Sequence, residues 1–304
     1  MPLTNNLSLP DPIVRAVTGF ETSYDGTKRA DISVTGLLQP PQMYELRRRH
    51  REVITEDIAD RIYALLGQVV HELLHRAGAI DKHVMTEERL YTDLLGWTVS
   101  GQMDRCLMIQ SPEGWSIQDW KVGSVWEAID GVKPEREKQL NLYAELLRRN
   151  GKSPVVSLSN VFIFRDWSKS RAKNEPTYPQ TQVMVIPVRV WTPQDATALL
   201  SELVIRHQHA REAPDDLLPP CSDEERWLDP PEWAVMKEGN KKATKLFPEK
   251  KLAEVFIDQQ VYENGKLNGK LTIVERPSEP TRCISYCSAN KVCKQFQGSP
   301  YASH

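Results

Sequence analysis

Gly101-Gln102-Met103-Asp104-Arg105-Cys106, followed by Ile117-Gln118-Asp119-Trp120-Lys121, is the stretch whose reading decides the fold. Both segments sit in runs rich in β-branched, aromatic and aliphatic residues, Trp97 to Ile109 and Trp115 to Val122. A Ser-Pro-Glu-Gly turn at 111–114 separates them, so two strands are predicted. Residues two apart on a strand share a face, which puts Asp119 with Lys121 and Asp104 with Gln102 and Ser100. Val99, Met103 and Leu107 are then left for the core. If the strands pair as a hairpin, two carboxylates and an ammonium converge at one end of a sheet.

Working outward, the spacing predicts an amphipathic helix over Glu135 to Arg149, stopped by Asn150-Gly151. Upstream, a helix is expected from an N-cap at Thr55 to about Arg76, with Gly78 as the stop signal, and a basic helix over Met43 to Arg51. Strands are expected again at Val155–Arg165 and Gln182–Trp191, and Thr192-Pro193 opens a further helix to about Glu212. From Pro214 the texture becomes acidic and Pro-rich, then Lys-rich, then Cys-bearing. The order reads as three regions: 1–54 as a candidate DNA-contacting N-terminal region, 55–212 as the core, and 213–304 as a C-terminal segment.

The 304 residues suffice for a sizeable core, and 40% hydrophobic with 26% charged residues marks a globular chain. No apolar run is long enough to span a bilayer, and MPLTNNLSLPDP has neither the basic nor the apolar region of a secretory signal, so a cytoplasmic location and no membrane partner are expected. A net charge of -2 excludes a globally basic nucleic-acid coat but not a local groove.

Paired carboxylates with a lysine suit phosphodiester hydrolysis. Hard oxygen ligands hold Mg²⁺ or Mn²⁺ with water and phosphate completing the shell, and a lysine positions or deprotonates the water. A single D-x-K triplet is common by chance. Here, however, Gly67-x-x-x-His71, Gly101-x-x-Asp104, Asp119-x-Lys121 and Gln139-x-x-x-Tyr143 follow one another. That series resembles the RecB-like branch of the PD-(D/E)XK nucleases over about residues 60–150, and phage-type exonucleases more loosely beyond. Met103 stands where the family often has Pro before the first Asp.

The resemblance implies an α/β, restriction-endonuclease-like core, a central mixed sheet flanked by helices, with a metal-stapled C-terminal segment. It implies His71, Asp104 and Asp119 as metal ligands, Lys121 as the catalytic lysine, and Gln139 and Tyr143 as DNA-positioning residues. The activity implied is Mg²⁺- or Mn²⁺-dependent DNA cleavage, with DNA ends as the substrate of an exonuclease working beside a recombination or helicase partner.

A rival motif overlaps this one. His71-Glu72-Leu73-Leu74-His75 is an H-E-x-x-H sequence continuing to Gly78 and Asp81, which read alone is a zinc-protease signature. Basic helical sequence precedes it where a multistranded sheet is usual, and the protease reading leaves the D…DxK…QxxxY series unused. A DNA-binding subunit without catalysis is the other alternative, against which an intact Asp104, Asp119 and Lys121 argue.

Cys283-x3-Cys287-x5-Cys293 resembles the C-terminal cysteine trio of iron–sulfur nucleases of the CRISPR-adaptation and AddB type, which usually have x2 in the first gap. A fourth thiolate is required, and Cys221 is the expected one because no cysteine stands upstream of the core. The resemblance favours a 4Fe–4S cluster, with Zn²⁺ the alternative. Cys106 is expected to pack. Arg47 to Arg51 and Lys237 to Lys245 are candidate phosphate contacts, although charge runs are commonly solvated faces. Trp120, Trp126 and Trp167 are more often core than base-stacking residues, and His83, His207, His209 and His304 show no spacing that suggests chemistry.

Overall fold

The computed structural model describes residues 1–19, 30–78, 84–129, 131–264 and 270–302; Asp81, His83 and His304 therefore lie outside the described residues. The chain divides into two compact units, Met1–Leu218 and Pro219–His304, a boundary six residues beyond the expected 212.

In the first unit the principal strands are β1 (Ile32–Ser33), β2 (Val84–Leu94), β3 (Trp97–Gln110), β4 (Glu113–Gly123), β5 (Val155–Phe164) and β6 (Val183–Val188). The principal helices are α1 (Pro41–Arg49), α2 (Ile62–Gly78), α3 (Pro134–Arg149) and α4 (Pro193–Glu212). The strands form one mixed six-stranded sheet, order β1-β3-β4-β5-β6, with β2 also on β3. The architecture is mixed α/β, a central sheet flanked by helices. β4 and β5 run parallel, as a strand–helix–strand connection through α3 requires.

Because β2 pairs with β3 along Trp97 to Leu107, both β1 and β4 must share the opposite edge of β3. β1 takes Val99 and Ser100, and β4 takes Arg105 onward. Residues 101–104 of β3 have no ladder partner on that edge. The sheet opens there, and Asp104 stands at the opening.

α3 is buried continuously from Leu140 to Leu147. A helix apolar on one stripe alone cannot tolerate this, so its polar members must find partners. Asn141 donates to the Glu137 and Arg189 carbonyls and accepts from the Trp191 amide, and Glu145 accepts from Arg148, Arg149 and Thr197. α3 lies close on β3 because Gly101 has no side chain: a Cβ there would stand 2.8 Å from Leu146 Cδ2 and 3.1 Å from the Tyr143 ring.

Several expectations are corrected. β2 was not foreseen. Thr55 does not cap the long helix; Glu56–Asp57 form a short strand and Asp57 caps the 3-10 turn Ile58–Arg61 ahead of α2. Leu107 is only half-buried, and Cys106 takes the core place instead, opposite an equally buried Ile117. The basic run at α1 is largely engaged within the unit. Arg47 pairs with Glu56, Arg48 with the fully buried Glu45, and Arg49 and His50 with Asp215, while Arg51 pairs with its neighbour Glu52 at the surface. Residues 30–54 thus belong to the first unit. His207 is a core residue, bonded to the Leu37 carbonyl and edge-on to Tyr44.

The second unit holds an antiparallel sheet of β7 (Glu232–Lys237), β8 (Ala243–Phe247) and β9 (Leu271–Arg276) in the order β8-β7-β9, with α5 (Lys250–Asn264) beside it. No helix among the described residues is long and apolar enough to cross a membrane.

Candidate metal centre

The site is built where β3 meets α2. His71 projects from the middle of α2, its Nδ1 at 3.3 Å from Asp104 Oδ1 and 3.4 Å from Glu87 Oε1. One ligand atom from each of His71, Glu87 and Asp104 lies within 4.8 Å of the other two. Glu87, on β2, is the member that sequence reasoning missed. The register places it directly opposite Asp104, since Thr86 pairs with Arg105 and Glu88 with Met103 on either side.

Each carboxylate is fixed from behind. Asp104 Oδ2 accepts from the Trp120 amide at 2.6 Å, in place of the ladder that stops at Arg105 and Gln118. Glu87 Oε2 accepts from Gln102 Nε2 at 2.8 Å, and Gln102 Oε1 accepts in turn from Arg89 at 2.5 Å. Arg89 thereby sets which way round the Gln102 amide lies.

The two carboxylates hold the His71 imidazole in its charged form, raising it from 6.5 to about 10, with Asp104 the larger cause and Glu87 next. One imidazole nitrogen and two carboxylates at this separation are a donor set that fits a divalent cation. Binding one exchanges the His71 proton for the metal.

Asp119 and Lys121 lie beside this group on β4. Asp119 is buried, its Oδ2 receiving Lys121 Nζ at 2.7 Å and Asn160 Nδ2 at 2.9 Å. Burial pushes the Asp119 carboxyl upward, and the Lys121 ammonium opposes it. Asp119 is not among the three groups whose ligand atoms converge. Of the three expected ligands, His71 and Asp104 are brought together directly, and Asp119 is turned to Lys121. Asn160 faces Asp119 across the β4–β5 pair, a partner that no sequence spacing announces.

Gln139 and Tyr143 share one face of α3, as expected, with Gln139 Nε2 donating to the Tyr143 hydroxyl at 3.0 Å. Tyr143 is 5% exposed, and burial lifts its phenol above the ordinary range. Gln139 is therefore the outer member of the pair and Tyr143 its support.

The second histidine of the H-E-x-x-H run does not join the centre. His75 Nδ1 bonds Thr86 Oγ1 at 2.8 Å and Glu72 pairs with Arg76. A groove of about 620 Å³ runs along this flank, lined by Gly67, Gln68, His71, His75, Glu87 and Gln102 among others. A Cβ on Gly67 would meet nothing within 4 Å, so its side-chain position faces open space.

In the second unit the four expected cysteines lie on separate segments, and side-chain amides tie two of them to the tail. Gln295 accepts from the Cys221 amide and donates to the Cys221 carbonyl, both at 2.9 Å, fastening Cys221 to the segment that carries Cys293. Asn290 donates to the Cys283 carbonyl at 3.1 Å. Burial pushes the Cys221 thiol to about 12, with Glu225 and the other three cysteines Cys293, Cys283 and Cys287 adding to the shift. Cys283, Cys287 and Cys293 are thus within electrostatic reach of Cys221, while Cys106 is packed in the other unit. No three sulfurs lie mutually within 4.8 Å among the described residues.

No family model and no curated protein matches the chain. A solved structure described as "Crystal structure of SSO0001" is similar at a TM-score of 0.44 and 14% identity, over 64% of this chain and 83% of that one. A likeness at that level carries no argument about chemistry, which rests on the side chains above.

Proposed function

We propose that this chain is a metal-dependent deoxyribonuclease with a restriction-endonuclease-like core of the PD-(D/E)XK kind, acting from DNA ends. The observation that carries the reading is the meeting of His71 from α2 and Asp104 from β3 beside the Asp119–Lys121 pair of β4. Three separate elements converge where β3 and β4 part, which a solvated strand face would not require.

His71 and Asp104 would hold a Mg²⁺ or Mn²⁺ ion, with Asp119 adjacent. Such an ion supplies charge neutralisation at the scissile phosphate and lowers the pKa of water. Lys121, fixed by Asp119, offers its ammonium to the attacking water or to the phosphate. Burial of Asp119 keeps that pair in a low-dielectric setting where its orienting effect is strong. Gln139, supported by Tyr143, would hold the DNA strand.

The second unit reads as a cluster-bearing segment. Cys221, Cys283, Cys287 and Cys293 would hold a 4Fe–4S cluster, the group that the resemblance of the Cys283–Cys293 trio favours, with Zn²⁺ the alternative. The cluster would staple the ends of this unit, tying the chain near 221 to the tail near 283–293.

The test is degradation of linear and closed circular DNA with Mg²⁺ or Mn²⁺, comparing wild type with Lys121→Ala. Loss of linear DNA with wild type and metal only supports the reading, and sparing of circles supports an exonuclease. Absence of cutting of any DNA with either metal overturns it.

A further inference from the structure

Glu87 carries two unfavourable features at one position. Its φ is +54°, the left-handed region that non-glycine side chains rarely adopt. Its carboxylate also faces that of Asp104 across the strand pair, and like charges directly opposite destabilise a sheet. The ladder keeps one register on both sides of this point, so nothing in strand pairing requires the distortion.

The side chain is nevertheless aimed with care. Gln102, itself held by Arg89, fixes Oε2, and Oε1 is enclosed without a hydrogen-bond partner, 3.4 Å from His71 Nδ1. A buried carboxylate oxygen without a hydrogen bond, on strained backbone, beside a second carboxylate and an imidazole, is arranged for a cation.

We infer that Glu87 is a further metal ligand, completing with His71 and Asp104 a one-nitrogen, two-carboxylate site that favours Mn²⁺ over Mg²⁺. Imidazole suits transition metals and carboxylate suits the hard cations, and of Mg²⁺ and Mn²⁺ only Mn²⁺ is a transition metal that takes both. The inference rests on the cation centre of the proposed function and adds to it the residue and the metal preference. Gln102 acts through Glu87 as a positioning residue.

The experiment is Mn²⁺ binding by the full chain, read from the EPR signal of the free ion, with metal-free and Mn²⁺-loaded thermal unfolding alongside. Glu87→Gln is expected to weaken Mn²⁺ binding at least about tenfold. Its metal-free Tm should not fall, while the Mn²⁺-induced rise in Tm is reduced. Glu87→Gly, which relieves the backbone, should raise the metal-free Tm and weaken Mn²⁺ binding together, a combination a purely structural glutamate would not produce. Wild-type-like Mn²⁺ binding by both variants, with Asp104→Asn losing it, overturns the assignment of Glu87 and leaves the metal centre standing. Wild type binding no Mn²⁺ overturns both.

Discussion

Replacing Gly101 by Ala tests how closely α3 must sit on β3. The added Cβ would meet Leu146 Cδ2 at 2.8 Å and two Tyr143 ring carbons at 3.1 Å, against a comfortable carbon–carbon separation of about 3.5–4.0 Å. Leu146 is 1% exposed and Tyr143 5%, so neither has open space into which to retreat. Overpacking of this kind costs about 1–3 kcal/mol. The φ of Gly101 is not in the left-handed region, so Ala also recovers about 0.4–1 kcal/mol from the unfolded chain.

The net expectation is a loss of roughly 1–2 kcal/mol, or about 2–8 °C in Tm for a unit of this size. Thermal unfolding of wild type, Gly101→Ala, Leu146→Ala and the double variant measures it. The double variant should be more stable than the sum of the singles implies, because Leu146→Ala vacates the space that the new methyl needs, with a coupling of about 0.5–3 kcal/mol. An unchanged or higher Tm for Gly101→Ala, or strictly additive singles, would refute the close-packing argument.

Lys121→Ala and Asp104→Asn should each lower metal-dependent DNA cleavage at least about 100-fold while leaving circular dichroism unchanged, and retained cleavage in Lys121→Ala would remove that lysine from the mechanism. Asn160→Leu deprives the buried Asp119 of a donor and should cost about 1–3 kcal/mol in urea unfolding; an unaltered midpoint would show that Lys121 alone satisfies the carboxylate. Burial depresses the His207 imidazole below 6.5, so the unfolded chain binds the extra proton, and this group's contribution, complete above 6.5, is lost as pH falls toward the folded value. Urea midpoints at pH 5 and 7 should then differ more in wild type than in His207→Gln, and equal differences would count against it. Anaerobically purified protein should show visible iron–sulfur absorption that Cys283→Ser or Cys221→Ser abolishes; zinc in place of iron on elemental assay would assign the four thiols to a single-ion site.

Much of the site was legible because strand alternation and helical periodicity are local. Asp119 and Lys121 do share a strand, Gln139 and Tyr143 do face one way, and His71 does lie on the long helix that approaches Asp104. The helix boundaries erred where local signals compete. Thr55 looks like an N-cap, but the chain spends Glu56 and Asp57 on a short strand pairing with Leu3 and Thr4 before turning. Met85-Thr86-Glu87-Glu88-Arg89 shows too little apolar alternation to announce a strand, because four polar residues follow one another from Thr86 to Arg89.

From sequence alone came the strand–turn–strand, the carboxylate and lysine positions, the following helix and the clustered cysteines, all set by spacings of a few residues. Only the tertiary structure decided that Glu87 stands against Asp104, that Asn160 and Lys121 share Asp119, and that Gln295 clasps Cys221 to the tail. The reason is register and closure. Which residue opposes which across two strands, and which distant segment a side chain reaches, depend on the packing of the whole sheet and its helices and on no property of either residue by itself.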